Sequence, residues 1–137
     1  MDTASLLQAI YRAYRENRKA DILAYLDEDF RYVVHLPEDV FPGGDKPRSK
    51  ADTAALIEYL QANYDYLTYD PGPIIATDHT ATVHPHVRIR HKRTGKELET
   101  RFTHTWQVRG GKAVELDERH DREKVEAFLR STSEPDA

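Results

Sequence analysis

Residues 101–121 read Arg101-Phe-Thr-His-Thr-Trp-Gln-Val-Arg109, then Gly110-Gly111, then Lys112-Ala-Val-Glu-Leu-Asp-Glu-Arg-His-Asp121. Two runs alternate apolar or aromatic with polar residues across a Gly-Gly pair, which is the pattern of a β-hairpin. One face of the first run carries Phe102, His104, Trp106 and Val108. The matching face of the second carries Val114, Leu116, Glu118 and His120. If Val108 and Val114 share a face, the turn holds an odd number of residues, and a three-residue loop with a left-handed Gly satisfies that. His104 then stands opposite Glu118, and Phe102 opposite His120. An apolar face ending in His, Glu and His marks this hairpin for chemistry, because Glu is rarely buried without a partner.

The 137 residues, 39% hydrophobic and 32% charged, suit one globular domain. A net charge of −4 argues against a nucleic-acid partner, although positive charge gathers locally at Arg88–Arg93. With no cysteine, disulfide and thiolate chemistry are excluded. There is neither an apolar leader at the N-terminus nor an apolar run near the ~20 residues that span a bilayer, so the expected setting is cytoplasmic, away from membranes.

An apolar stripe of Leu6, Leu7, Ile10, Tyr11 and Tyr14 predicts a helix over 4–16. A short helix over 21–26 and a strand over 30–36 follow, the strand with Phe30, Tyr32, Val34 and Leu36 on one face. The Pro- and Gly-rich segment 37–48 reads as a loop whose Val40 and Phe41 either cover a pocket or pack locally. Ser49 opens a third helix with Asp52 as its acidic partner, and Leu56, Ile57, Leu60 and Tyr64 form its stripe. Residues 67–76 read as an edge or bent strand broken by Pro71-Gly72-Pro73. Long strands are expected over 80–91, with Val83, Pro85, Val87 and Ile89 on one face, and over 96–109. Asp121 caps a last helix over 122–130, and 131–137 reads as a frayed tail. Helices segregated from a mostly antiparallel sheet mean α+β: a curved sheet with three helices from the N-terminal half on its concave face, and a short C-terminal helix.

This order, together with Leu26-Asp-Glu-Asp-Phe30, the helix from Ser49 to Tyr59, and Trp106–Val114 followed by Arg119-His120-Asp121, resembles the nuclear transport factor 2-like superfamily in its SnoaL-like, ketosteroid-isomerase-related branch. The resemblance covers nearly the whole chain. It implies a cystatin-like cone, a ligand held between the concave face and the helices, and a homodimer through the outer sheet face. His120 departs from the aromatic residue that commonly ends the family's last strand. Similarity to limonene epoxide hydrolases extends to Tyr32 and a carboxylate, Glu118. Pro85 and Val87 stand where that branch has its Arg and Asp, and Val34 where it has its Asn, so epoxide hydrolysis is rejected. The base of ketosteroid isomerases would also fall near Val34.

The expected chemistry is proton transfer beside a carbonyl, as in isomerisation or cyclisation. Glu118 is the base, His104 orients it or shuttles the proton, and Tyr32 polarises the substrate. Trp106, Val34, Val87, Phe102, His120 and Tyr14 are expected to line the site for a small apolar or polyketide-like ligand. No motif implies a cofactor or a metal. His84 and His86, with Arg88, Arg90, Arg101, Glu115, Asp117 and Arg119, read as a charged interface. A non-catalytic ligand-binding or interaction domain, with His104 and Glu118 as a satisfied buried pair, is the alternative.

Overall fold

A computed structural model describes residues 1–133, which form four helices and eight strands. Helix α1 (Thr3–Arg15) is capped by the Asp2 side chain, which accepts from Ser5 N. Helix α2 (Lys19–Tyr25) passes directly into β1 (Leu26–Val34). The strand expected over 30–36 begins earlier, with the acidic run Asp27-Glu28-Asp29 forming its irregular start, and β1 ends at Val34 rather than Leu36. Helix α3 (Lys50–Asn63) begins with a full capping box between Ser49 and Asp52.

The strand expected over 67–76 is broken at Pro71-Gly72-Pro73, as read from the sequence, and the long strands expected over 80–91 and 96–109 are each divided as well. Residues 64–76 give β2 (Tyr64–Asp70) and β3 (Ile74–Ala76), which lie in different sheets. Residues 80–91 give β4 (Thr80–Val83) and β5 (His86–His91), and residues 97–109 give β6 (Glu97–Arg101) and β7 (Thr103–Arg109). The last two breaks face each other, with Phe102 N donating to Pro85 O at 2.9 Å. Proline has no N–H to continue the ladder, so one hairpin bends at Pro85 and Phe102 and serves two sheets. The five-stranded sheet runs β1-β8-β7-β4-β3, where β8 is Lys112–Arg119, and the three-stranded sheet runs β2-β5-β6. β1 pairs with β8 in parallel, and the other pairings are antiparallel.

The β7–β8 turn differs from the expected three-residue loop. Arg109 pairs with Lys112, leaving the two-residue loop Gly110-Gly111 with φ 60° and 76°. The register then shifts between Gln107 and Val108, so that Ala113, not Val114, faces inward with Val108. A β-bulge at Val114 thus supplies the extra residue assigned above to the turn, and beyond it the pairing is the expected one.

Two apolar clusters fill the concave side. Leu6, Leu7, Ile10 and Tyr11 of α1 pack with Val83, Trp106 and Leu116 at one end. At the other end Val34, Leu36, Phe41, Leu56, Tyr64 and Leu98 meet Val125 and Phe128 of α4 (Arg122–Thr132). Asp121 caps α4, as expected. Ser131 and Thr132 belong to that helix, not to a tail: Thr132 is buried and its carbonyl accepts from Arg93 Nη2 at 2.8 Å. Residues 134–137 of the expected tail lie outside the described residues. No helix among the described residues is long and apolar enough to cross a membrane.

Candidate functional site

Between the helices and the bent sheets lies a cavity of about 140 Å³. Its wall is almost wholly apolar and aromatic, and every helix contributes to it: Ile10 and Tyr14 from α1, Ile22 from α2, Leu56 and Ile57 from α3, Val125 and Phe128 from α4. The contribution of α4 was not anticipated from its sequence, which shows only a short amphipathic helix. Phe41 of the 37–48 loop also lines the cavity. The loop is fastened to β1 by paired backbone bonds between Tyr32 and Arg48, each 2.9 Å, and the Arg48 guanidinium lies over the Phe41 ring at 5.4 Å.

Polar groups enter this wall along β7, β8 and β1. His104 and Glu118 are cross-strand partners, and His104 Nε2 lies 2.9 Å from Glu118 Oε1. Tyr32 donates its hydroxyl to the same oxygen at 2.8 Å. On the other side of the imidazole, His104 Nδ1 is 2.6 Å from the Tyr11 hydroxyl, which accepts from Trp106 Nε1 at 2.9 Å. The directions close in one sense: Trp106 N–H to Tyr11, Tyr11 O–H to His104 Nδ1, His104 Nε2–H to Glu118. Tyr11 and His104 also stack, with rings 5.8 Å apart and 10° from parallel.

Both bonds to Glu118 fall on Oε1, so Oε2 has no hydrogen-bond partner among the described residues. Burial alone would favour the neutral acid. The hydrogen bonds from His104 and Tyr32, with the electrostatic influence of the His104 and His120 imidazoles, outweigh burial and hold the carboxyl below its ordinary value. The carboxylate is therefore anionic near neutral pH. Burial, reinforced by the Glu118 charge, pushes the hydroxyls of Tyr14, Tyr32 and Tyr69 far above the usual phenol range, so all stay protonated.

Of the residues assigned to the site from sequence, Glu118, His104, Tyr32, Trp106, Phe102, His120 and Tyr14 all line the cavity. Val34 and Val87 do not. Both are fully buried, Val34 within the cluster of Leu36, Phe41 and Leu56, although they share strand faces with the lining residues Tyr32 and Ile89. Tyr32 is not aimed as expected, since its hydroxyl serves Glu118. Both ring nitrogens of His120 are buried without a partner. Burial, the largest influence, lowers the pKa of His120, against the pull of Glu118.

The sequence reading missed Tyr11, Tyr66 and Tyr69. Tyr14 and Tyr66 share a 2.6 Å hydroxyl–hydroxyl bond, and the Tyr14, Tyr66 and Tyr69 rings meet at 5.1–5.5 Å. The clustering of tyrosines at 64–69 hinted at them, yet nothing local tied them to α1. The outer-face residues pair within the chain: Arg88 with Glu97, His86 with Glu99 at 2.7 Å, and His35 with Asp117 at 2.9 Å.

The model of the SnoaL-like domain family matches residues 7–116. No curated protein sequence matches the chain. A nuclear transport factor 2-like protein of Burkholderia thailandensis superposes with TM-score 0.79 at 21% identity, covering 95% of this chain and 98% of its own. TerC, co-crystallised with polyporic acid, gives 0.80 at 16% identity, covering 93% and 97%. A candidate polyketide cyclase of Xanthomonas campestris pv. campestris gives 0.74 at 17% identity, covering 92% and 95%. At these identities the likenesses carry the fold alone.

Proposed function

The chain belongs to the SnoaL-like family, and on that premise we propose that its cone binds a small, largely apolar, carbonyl-bearing molecule of aromatic or polyketide type and moves a proton on it. The observation that carries this reading is the division of labour on Glu118. Oε1 is held by His104 and Tyr32, while Oε2 is unpartnered at the wall of an apolar cavity. A carboxylate fixed on one oxygen and open on the other suits a general base. Oε2 takes a proton from the carbon next to the carbonyl, the C–H electron pair moves into the enolate, and the proton returns at a second position. His104 and, through it, Tyr11 and Trp106 act as positioning residues.

Tyr32 is occupied on Glu118, so a different donor must meet the enolate oxygen. The Tyr14–Tyr66 pair suits that role. Two hydroxyls sharing one hydrogen bond retain one O–H for a ligand. The co-crystallisation of TerC with polyporic acid and the description of the Xanthomonas protein as a candidate polyketide cyclase are in keeping with an aromatic ligand.

The test is α-hydrogen/deuterium exchange, followed by NMR, on a panel of aromatic 1,3-dicarbonyl compounds in D2O. Wild type is expected to exceed buffer catalysis and Glu118→Gln to fall to it. Binding without exchange, read from the fluorescence of Trp106, would favour a second reading, a non-catalytic ligand-binding domain. The 2.9 Å His104–Glu118 bond also supports that reading, as a satisfied pair at the cavity floor.

The outer face of the β2-β5-β6 sheet is proposed as a homodimer surface, because alternating Arg88, Glu97, His86 and Glu99 are self-complementary across a two-fold axis. Sedimentation velocity should give a dimer, and Arg88→Glu a monomer with an unchanged circular dichroism spectrum.

A further inference from the structure

A second cavity, of about 220 Å³, adjoins the first and shares Tyr14, Tyr64, Tyr66 and Tyr69 with it. The shared tyrosines form a partition in which the Tyr14–Tyr66 hydroxyl bond, at 2.6 Å, joins α1 to β2. On the far side the lining turns polar, with Arg15, Asn17, Gln61, Asp65 and Lys92. Arg15, in the last turn of α1, is exposed and has no ion pair or hydrogen bond among the described residues. Its neighbours are engaged with one another. Lys92 Nζ donates to Gln61 O at 2.9 Å and lies 4.0 Å from Asp65, Asp65 lies 3.6 Å from Arg90, and Gln61 donates to Asn17 Oδ1 at 3.2 Å. This chamber therefore presents one unengaged cation beside an apolar room, in a chain of net charge −4.

We propose that the second cavity is a subsite for the anionic end of an amphipathic ligand, an aryl or polycyclic acid whose carboxylate pairs with Arg15 while its apolar body lies in the cone. Guanidinium meets a carboxylate with two parallel N–H donors, which gives a flexible acid both affinity and orientation. One molecule occupies both rooms when the tyrosine partition parts, which separates the Tyr14–Tyr66 hydroxyl bond and the ring contacts beside it and leaves aromatic faces against the ligand. Such a ligand enters tail last, so its carbonyl-bearing end reaches Glu118. The inference rests on the cone as the ligand site and adds the charge class of what the cone accepts.

Trp106 is the only tryptophan and is buried in the cone wall, so its emission reports occupancy of that room alone. The experiment titrates full-length protein with 4-phenylbutyrate and with 4-phenylbutan-1-ol, which differ only at the carboxylate end. Wild type is expected to bind the acid about 10-fold more tightly than the alcohol, the size of one charge-assisted contact. Arg15→Gln, a change at an exposed position that leaves the fold intact, should remove that preference without altering affinity for the alcohol. Equal binding of the two probes to wild type, or a preference unchanged by Arg15→Gln, would overturn the subsite while leaving the cone reading standing. No response of Trp106 to either probe would overturn both.

Discussion

His104 and Glu118 face each other across the β7–β8 hairpin, with 2.9 Å between Nε2 and Oε1, and Tyr32 reaches the same carboxylate oxygen from β1 at 2.8 Å. The parallel pairing of β1 with β8 makes this meeting, since Tyr32 and Val34 run alongside Leu116 and Glu118. Two donors on one oxygen separate what holds the carboxylate from what it offers to a ligand.

Two substitutions at Glu118 separate these roles. Glu118→Gln retains a carbonyl oxygen for Tyr32 and His104, so stability should stay within about 1 kcal/mol of wild type. Proton exchange should fall by roughly 10²–10⁴. Glu118→Leu leaves both donors without an acceptor and should cost about 2–5 kcal/mol. Urea midpoints, measured beside the exchange assay, check both.

Acid titration tests the charge on Glu118. Its folded pKa lies below the ordinary 4.5, so the stability it contributes is fully present above that value and is lost as pH falls through the folded value. Urea midpoints of wild type should decline below about pH 4.5 more steeply than those of Glu118→Gln. Parallel curves would show that the carboxylate is not held as described.

His120 should oppose folding in mild acid. Its folded pKa is below 6.5, so the unfolded chain takes up the proton first, and stability begins to fall as pH drops below 6.5. His120→Phe removes two buried nitrogens without partners and keeps an aromatic against Phe102, now 5.9 Å from the ring. The variant should be more stable by about 1–2 kcal/mol near neutrality, with a larger gain near pH 5, measured by chemical unfolding at both.

Tyr11→Phe should strand Trp106 Nε1 and His104 Nδ1 together, at a cost of about 2–4 kcal/mol. Because Trp106 loses its polar partner, its emission maximum should move to the blue. A stable variant with unshifted emission would mean that Tyr11 does not bridge the two rings.

The Gly110-Gly111 turn gives a conformational prediction. Both residues have positive φ, and nothing lies within 4 Å of either added Cβ, so the cost of a side chain is purely backbone strain. Gly111→Ala should lose about 1–2 kcal/mol, while Gly110→Asn should be close to neutral, because Asn tolerates this region. Thermal midpoints distinguish the two.

The hairpin from Arg101 to Asp121 was legible because a strand's alternation is written at a spacing of two residues. The inner face of Phe102, His104, Trp106, Leu116, Glu118 and His120 could be read from neighbours alone, and so could the Ser49 and Asp121 caps. The family pattern and the α+β class rest on such local signals. The turn was misread while its register was right, since a bulge at Val114 offsets a loop one residue shorter, and a sequence pattern reports their sum but not the split. Tertiary structure alone decided that the strands break at Pro85 and Phe102, that Val34 and Val87 stay out of the cavity lining, and that Tyr32 turns to Glu118. It also brought Tyr11 to His104 across 93 residues and Tyr14 to Tyr66 across 52. Those bonds join elements whose own periodicity is satisfied by burial of any kind, so no local pattern records which partner the hydroxyl will find.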